Sequence, residues 1–170
     1  MRSRPIGSVV GAIGGLIFVV VNAAAVPAAL LLRVLAVVTF VAVIWFAVLR
    51  APKVDQAPPS RAALRTYGLC ILGMLVALFL GARVLSGLLD RPHAVVPWVV
   101  LVVGAHFLPF AGAFGLPIFR LLAVSLVVLG LAGLVLTLSS NSATVEGWTG
   151  VAAGFVLLLF AAIGPRLSHR

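Results

Sequence analysis

Residues 117–139 read PIFRLLAVSLVVLGLAGLVLTLS. A proline opens the stretch, one arginine follows at Arg120, and the rest is apolar or small until serine returns. A run of this length matches the roughly 20 residues a helix needs to cross the hydrocarbon core of a bilayer. The residue types alternate at no period of two, so a strand reading fails and a membrane-spanning helix is expected.

Working outward, five further runs of the same kind occupy residues 7–26, 29–49, 66–89, 94–115 and 145–165. Helix breakers or polar residues divide them: Pro27 separates the first two, Pro92 precedes the fourth, Pro117 opens the fifth, and Ser139-Ser140-Asn141-Ser142 separates the last two. The sequence therefore predicts an all-α integral membrane protein, a compact bundle of six transmembrane helices forming one domain over residues 1–170. Arg2 and Arg4 ahead of an apolar stretch ending in Ala23-Ala24-Ala25 also resemble a secretory leader. The reading adopted keeps this stretch as the first helix.

Composition agrees with the spans. Of 170 residues, 64% are hydrophobic and 9% charged, and the mean hydropathy is +1.31, against about 25% charged residues in soluble domains. The net charge of +9 would suggest nucleic acid in a soluble protein, but the cations lie singly or in small groups at the ends of apolar runs. That placement suits topology control and anionic headgroups, and nucleic acid is excluded as a partner.

Arg2, Arg4, Arg50, Lys53, Arg61, Arg65, Arg120, Arg166 and Arg170 fall at one end of the spans; Arg33, Arg83 and Arg91 fall at the other. Basic loops stay in the cytoplasm, so both termini are expected there, in a plasma membrane of the bacterial inner-membrane type. Trp98 and Trp148 then start helices at the outer interface, with Trp45 and Tyr67 at the inner one. Residues 50–65 form a hydrophilic loop that Pro52, Pro58 and Pro59 keep extended, read as a stop-transfer linker or a lipid-docking segment.

In lipid, helices associate where small residues let backbones approach. Gly7, Gly11 and Gly15 form one such stripe, Gly73, Ala77 and Gly81 a second, and Gly150 with Gly154 a third. They are expected to pack the bundle, or to meet a second copy or a partner membrane protein. Arg33-Val-Leu-Ala-Val-Val also resembles Arg120-Leu-Leu-Ala-Val-Ser, each following a proline, while Gly73, Phe79 and Tyr67 align with Gly154, Phe160 and Trp148. Three spans per half would make the halves inverted repeats, an arrangement common in transporters.

Polar residues at membrane depth are candidates for function because burying them is costly. Arg33 and Arg120 sit near helix starts and can snorkel to an interface. Arg83 leans towards the bilayer centre, with Ser86 and Asp90 following on one face, so these three form a candidate outer entrance; Asp90 or Glu146 would pair with Arg83. His106 stands three residues before Pro109, which leaves the carbonyl of Ala105 without its helical donor. His106, Pro109 and Asn22, the histidine's expected partner, form a candidate cavity or hinge, loosened by Gly104, Gly112 and Gly115.

No metal or other cofactor is expected, since His93, His106 and His169 lie at different depths. The lone Cys70 forms no internal disulfide. No G-x-S-x-G motif supports a hydrolase, and no span carries an acid near its centre for proton coupling. The functional expectation is a permease or channel for an unidentified small solute. The alternative is a non-catalytic accessory or assembly protein that binds a partner through glycine-rich helix faces; an intramembrane enzyme ranks third.

Overall fold

The computed structural model describes residues 2–3, 6–45, 54–55, 61–114 and 117–167. Among the described residues six α-helices run antiparallel in sequence order: α1 (Ile6–Asn22), α2 (Ala29–Ala42), α3 (Arg61–Arg83), α4 (Val95–Phe114), α5 (Pro117–Ser140) and α6 (Ala143–Leu167). Five helical stretches are long and apolar enough to cross a membrane, and the described part of the α2 stretch, Ala29–Trp45, is shorter. The protein is thus a multi-pass helical membrane bundle. A two-residue antiparallel ladder completes it, pairing β1 (Arg2–Ser3) with β2 (Val54–Asp55) so that Arg2 lies opposite Asp55.

Two tight seams organise the bundle, α1 against α6 and α4 against α5, and α5 and α6 join them. On the first seam Gly11 faces Ala161, Gly15 faces Gly154 and Leu158, and Asn22 faces Gly150. On the second, Gly104 lies against Leu126 and Val127, and Gly130 against Leu101. Glycine at these places lets the backbones approach to contact, which is how helices gain packing energy where lipid is as apolar as their side chains. Within the seams, Val19 and Leu158 on the first and Val100 and Leu126 on the second are fully buried.

The outer two helices are loosely held. α2 leans chiefly on α1, and α3 on α4. Only 6% of the apolar stretch of α3 is buried within the protein, so lipid is its main surroundings. With three helices each, the two halves run in opposite directions, but their packing differs: α5 is wedged between α4 and α6, whereas α2 flanks the bundle.

At the end opposite the termini, each of the three connections turns through a left-handed residue: Ala28 (φ 61°), Asp90 (φ 51°) and Asn141 (φ 47°). Asp and Asn adopt this conformation readily, while alanine pays for its Cβ. Replacing Ala28 by glycine is expected to raise stability by about 0.5–1 kcal/mol, the strain relief exceeding the entropy glycine adds to the unfolded chain. A thermal midpoint in detergent that rises for Ala28→Gly and falls for Ala24→Gly, in the neighbouring 3-10 turn, checks this.

Membrane thickness fits the helices. From Arg120 to Ser140 on α5, and from Glu146 to Arg166 on α6, is 20 residues each, about 30 Å at 1.5 Å per residue. That equals the hydrocarbon thickness of a bilayer and sets charged or polar residues at both interfaces.

Candidate functional site

The polar groups expected from the sequence fall into separate places. His106 is half-buried on α4, its Nδ1–H donating to the carbonyl of Val103 one turn back. Its ring lies 4.2 Å from that of Phe107, which stacks on Phe119 of α5 at 5.9 Å. Pro109 is exposed, and α4 remains helical past it to Phe114.

Asn22 does not lie at this depth. Its amide Nδ2 donates to the Phe18 carbonyl at 2.8 Å, and the side chain occupies the space left by Gly150, where an added Cβ would collide with it. Gly133 faces Thr149 one residue from Gly150, while Gly130 faces Leu101. Counting along these contacts brings Asn22 level with Trp98, about 12 Å along the bundle axis from His106. The amide fills a notch in the α1–α6 seam.

Arg83, Ser86 and Asp90 are all exposed. The Ser86 hydroxyl donates back to the carbonyl of Ala82 at 2.6 Å. Between them the chain widens into a π-turn over Val84–Leu88, and Asp90 sits in the left-handed bend beyond. Arg83 stands near the level of Val96, roughly 15 Å along the axis from His106. Glu146, the other acid weighed for Arg83, is instead engaged by His93, Nδ1 to Oε2 at 2.7 Å. That pair joins the short turn ahead of α4 to the first turn of α6, where a carboxylate also meets the positive end of the helix.

The glycine stripes divide similarly. Gly11, Gly15, Gly150 and Gly154 are used within the α1–α6 seam, and Gly81 receives the indole of Trp98, whose Nε1–H donates to the Ala77 carbonyl at 3.0 Å. An added Cβ at Gly7 or Gly73 would meet nothing within 4 Å. Gly104, weighed as part of a hinge, lies against α5.

Three features had no local signal in the sequence. Arg33 is tied to α1: its Nε–H donates to the Val20 carbonyl at 3.0 Å. Thr137 and Thr149 are the buried polar side chains among the described residues, and their hydroxyls bond to carbonyls of their own helices, Gly133 and Val145, each at 2.8 Å. Finally, a groove of about 350 Å³ runs between α5 and α6, lined by Leu129, Ala132, Gly133, Leu136, Val145, Trp148, Thr149 and Ala152. Its lip is open to the outside, with Leu136 and Trp148 about half exposed.

No family model, curated protein or solved structure matches this chain. Function must therefore be argued from this geometry. Among the described residues no three His, Cys, Asp or Glu side chains gather to hold a metal. Polar chemistry is spread over the His93–Glu146 rim, the Asn22 notch and His106, rather than converging on one reacting centre.

Proposed function

We propose that this chain is a non-catalytic accessory membrane protein that receives a transmembrane helix of a partner in the groove between α5 and α6. The observation that carries this reading is the groove itself: a floor of small residues, Ala132, Gly133 and Ala152, between large apolar walls, open to the bilayer. Small floors let a second backbone come close, and large walls grip its side chains, which is how helices pair in lipid. The glycines Gly11, Gly15, Gly150 and Gly154 are already engaged inside the chain, whereas this groove stands open on one side. In this reading the basic end faces the cytoplasm of a bacterial-type plasma membrane, as the distribution of arginines favours.

The permease reading draws less support. A path for a polar solute needs polar groups lining it, whereas the two buried clusters of the bundle are apolar, one built on Val19 and Leu158 and the other on Val100 and Leu126. Arg83 and Asp90 lie far along the axis from His106.

A photo-crosslinking residue at Ala132 in native membranes is expected to give one discrete protein adduct, and the same residue at lipid-facing Leu121 none. Filling the groove with Ala152→Phe should abolish the adduct while the protein still folds. Solute flux through the purified chain in proteoliposomes that His106→Ala suppresses would overturn the proposal in favour of a permease.

A further inference from the structure

The end of the bundle that carries the termini is strongly and one-sidedly charged. By sequence, all of the chain's 12 Lys/Arg but Arg33, Arg83 and Arg91 are expected there, with Asp55 as the sole acid. The opposite end sets those three arginines against Asp90 and Glu146, the latter held by His93.

The helix contacts give this charge a geometry. Equal counts from the Gly81–Trp98 contact bring Arg65 of α3 level with Phe114, the last residue of α4. Equal counts from Gly104–Leu126 bring Arg120 of α5 level with residue 110, and from Gly133–Thr149 bring Arg166 of α6 level with the start of α5. Arg65, Arg120 and Arg166 thus sit within about one helical turn of a common level on three different helices. Arg65 and Arg120 are exposed, as is Arg61 one turn before Arg65. The β1–β2 ladder fastens the N-terminal arm to the α2–α3 loop, so that the backbone at Arg2 and the loop it pairs with join the same end.

This level is an interface: it lies about 30 Å from the Ser140 and Glu146 level, one hydrocarbon thickness away. Guanidinium groups held there face phosphodiester headgroups, to which arginine bonds through paired N–H donors. Among the described residues the sole salt bridge is His93–Glu146, so no described acid at this end takes up Arg61, Arg65 or Arg120. We propose that Arg61, Arg65 and Arg120 form a belt that binds anionic phospholipids, selecting them over zwitterionic ones in the leaflet at this end. A net-neutral headgroup brings its own ammonium to the belt, whereas a phosphatidylglycerol headgroup brings only the anion, and this difference is the source of the selection.

The test reconstitutes the full chain in phosphatidylcholine vesicles carrying a trace of spin-labelled phosphatidylglycerol or phosphatidylcholine, and reads the fraction of motionally restricted lipid. Phosphatidylglycerol is expected to associate several-fold more strongly at low salt, and the preference to shrink towards unity near 1 M salt as screening shortens to about 3 Å. Arg65→Gln with Arg120→Gln should lower the preference at least twofold, while Arg83→Gln with Arg91→Gln should leave it intact. Equal association of the two lipids with the native chain would overturn the proposal. So would a preference unchanged in the Arg65/Arg120 variant with native helicity. If that variant does not fold, the salt titration of the native chain decides, and a salt-independent preference overturns the proposal. Inorganic phosphate at matched ionic strength should not displace the lipid; displacement would assign the belt to a free anion instead.

Discussion

Gly15→Ala is expected to destabilise the bundle by about 3 kcal/mol, at the upper end of the overpacking range, because the atoms in its way cannot move aside. A Cβ at Gly15 would stand 2.6 Å from the carbonyl oxygen of Gly154 and 3.0 Å from the backbone nitrogen of Leu158. These are backbone atoms, not flexible side-chain tips. The reciprocal change is equally blocked, since a Cβ at Gly154 would stand 2.6 Å from the Gly15 carbonyl. Relief requires α1 and α6 to separate along the seam that buries Val19 and Leu158. Alanine also raises helix propensity by up to about 1 kcal/mol, which offsets part of the loss. Gly73→Ala separates the two effects, because its Cβ meets nothing within 4 Å and only the propensity gain remains. Reversible unfolding in mixed micelles should show a large drop for Gly15→Ala and none for Gly73→Ala. Equal stability of the two variants would mean that the α1–α6 seam is not a close backbone contact.

How far the sequence reveals this molecule depends on the range of each interaction. A spanning helix is written into about 20 consecutive residues, so the runs behind α1, α3, α4, α5 and α6 are visible without knowing what surrounds them. The stripe Gly7, Gly11 and Gly15 is equally visible, but its partner is not, because a small-residue face is silent about the helix opposite. Gly104 illustrates the cost of that silence. Beside Pro109 it suggests a loose hinge, and only the position of Leu126 and Val127 turns it into a contact with α5.

The polar pairs are less legible still. His93 and Glu146 lie 53 residues apart, and nothing local connects them; a lone acid near Arg83 invites the wrong partner. Asn22 shares a helix-end position with no other polar residue, and its role as a filler of the Gly150 notch depends on the α1–α6 register. The left-handed turns split on chemistry: Asn141 and Asp90 are residues that favour that conformation, whereas Ala28 is not, and its strain is imposed by the tight return of α2 onto α1. The groove between α5 and α6 is invisible in sequence for the same reason as the seams, since its floor and walls come from two helices.

Trp98 carries the second large effect. By sequence it is an interfacial anchor at the start of α4; in the fold it also reaches across to α3, where its indole lies on Gly81 and bonds the Ala77 carbonyl. α3 packs mainly on α4 and only 6% of its apolar stretch is buried by the protein, so this knob and its hydrogen bond are expected to matter for how that helix is held. Any Cβ at Gly81 collides with the indole ring, so Gly81→Val must expel it and leave the indole N–H without the Ala77 carbonyl. The loss comprises an aromatic contact and a hydrogen bond, about 2–3 kcal/mol together, concentrated on one helix pair. The expected result is selective: α3 parts from α4 while the α1–α6 and α4–α5 seams persist. Spin labels placed on the lipid-facing residues Leu72 of α3 and Leu108 of α4 should report a broadened, longer distance in Gly81→Val, and labels at Val10 and Leu159 on the α1–α6 pair an unchanged one. Trp98→Phe should reproduce part of the broadening, since the ring remains but the bond to Ala77 is gone. A distance distribution in Gly81→Val identical to that of the native chain would show that α3 is held by something other than this indole, and loss of both distances would show that α3 cannot part without unravelling the whole bundle.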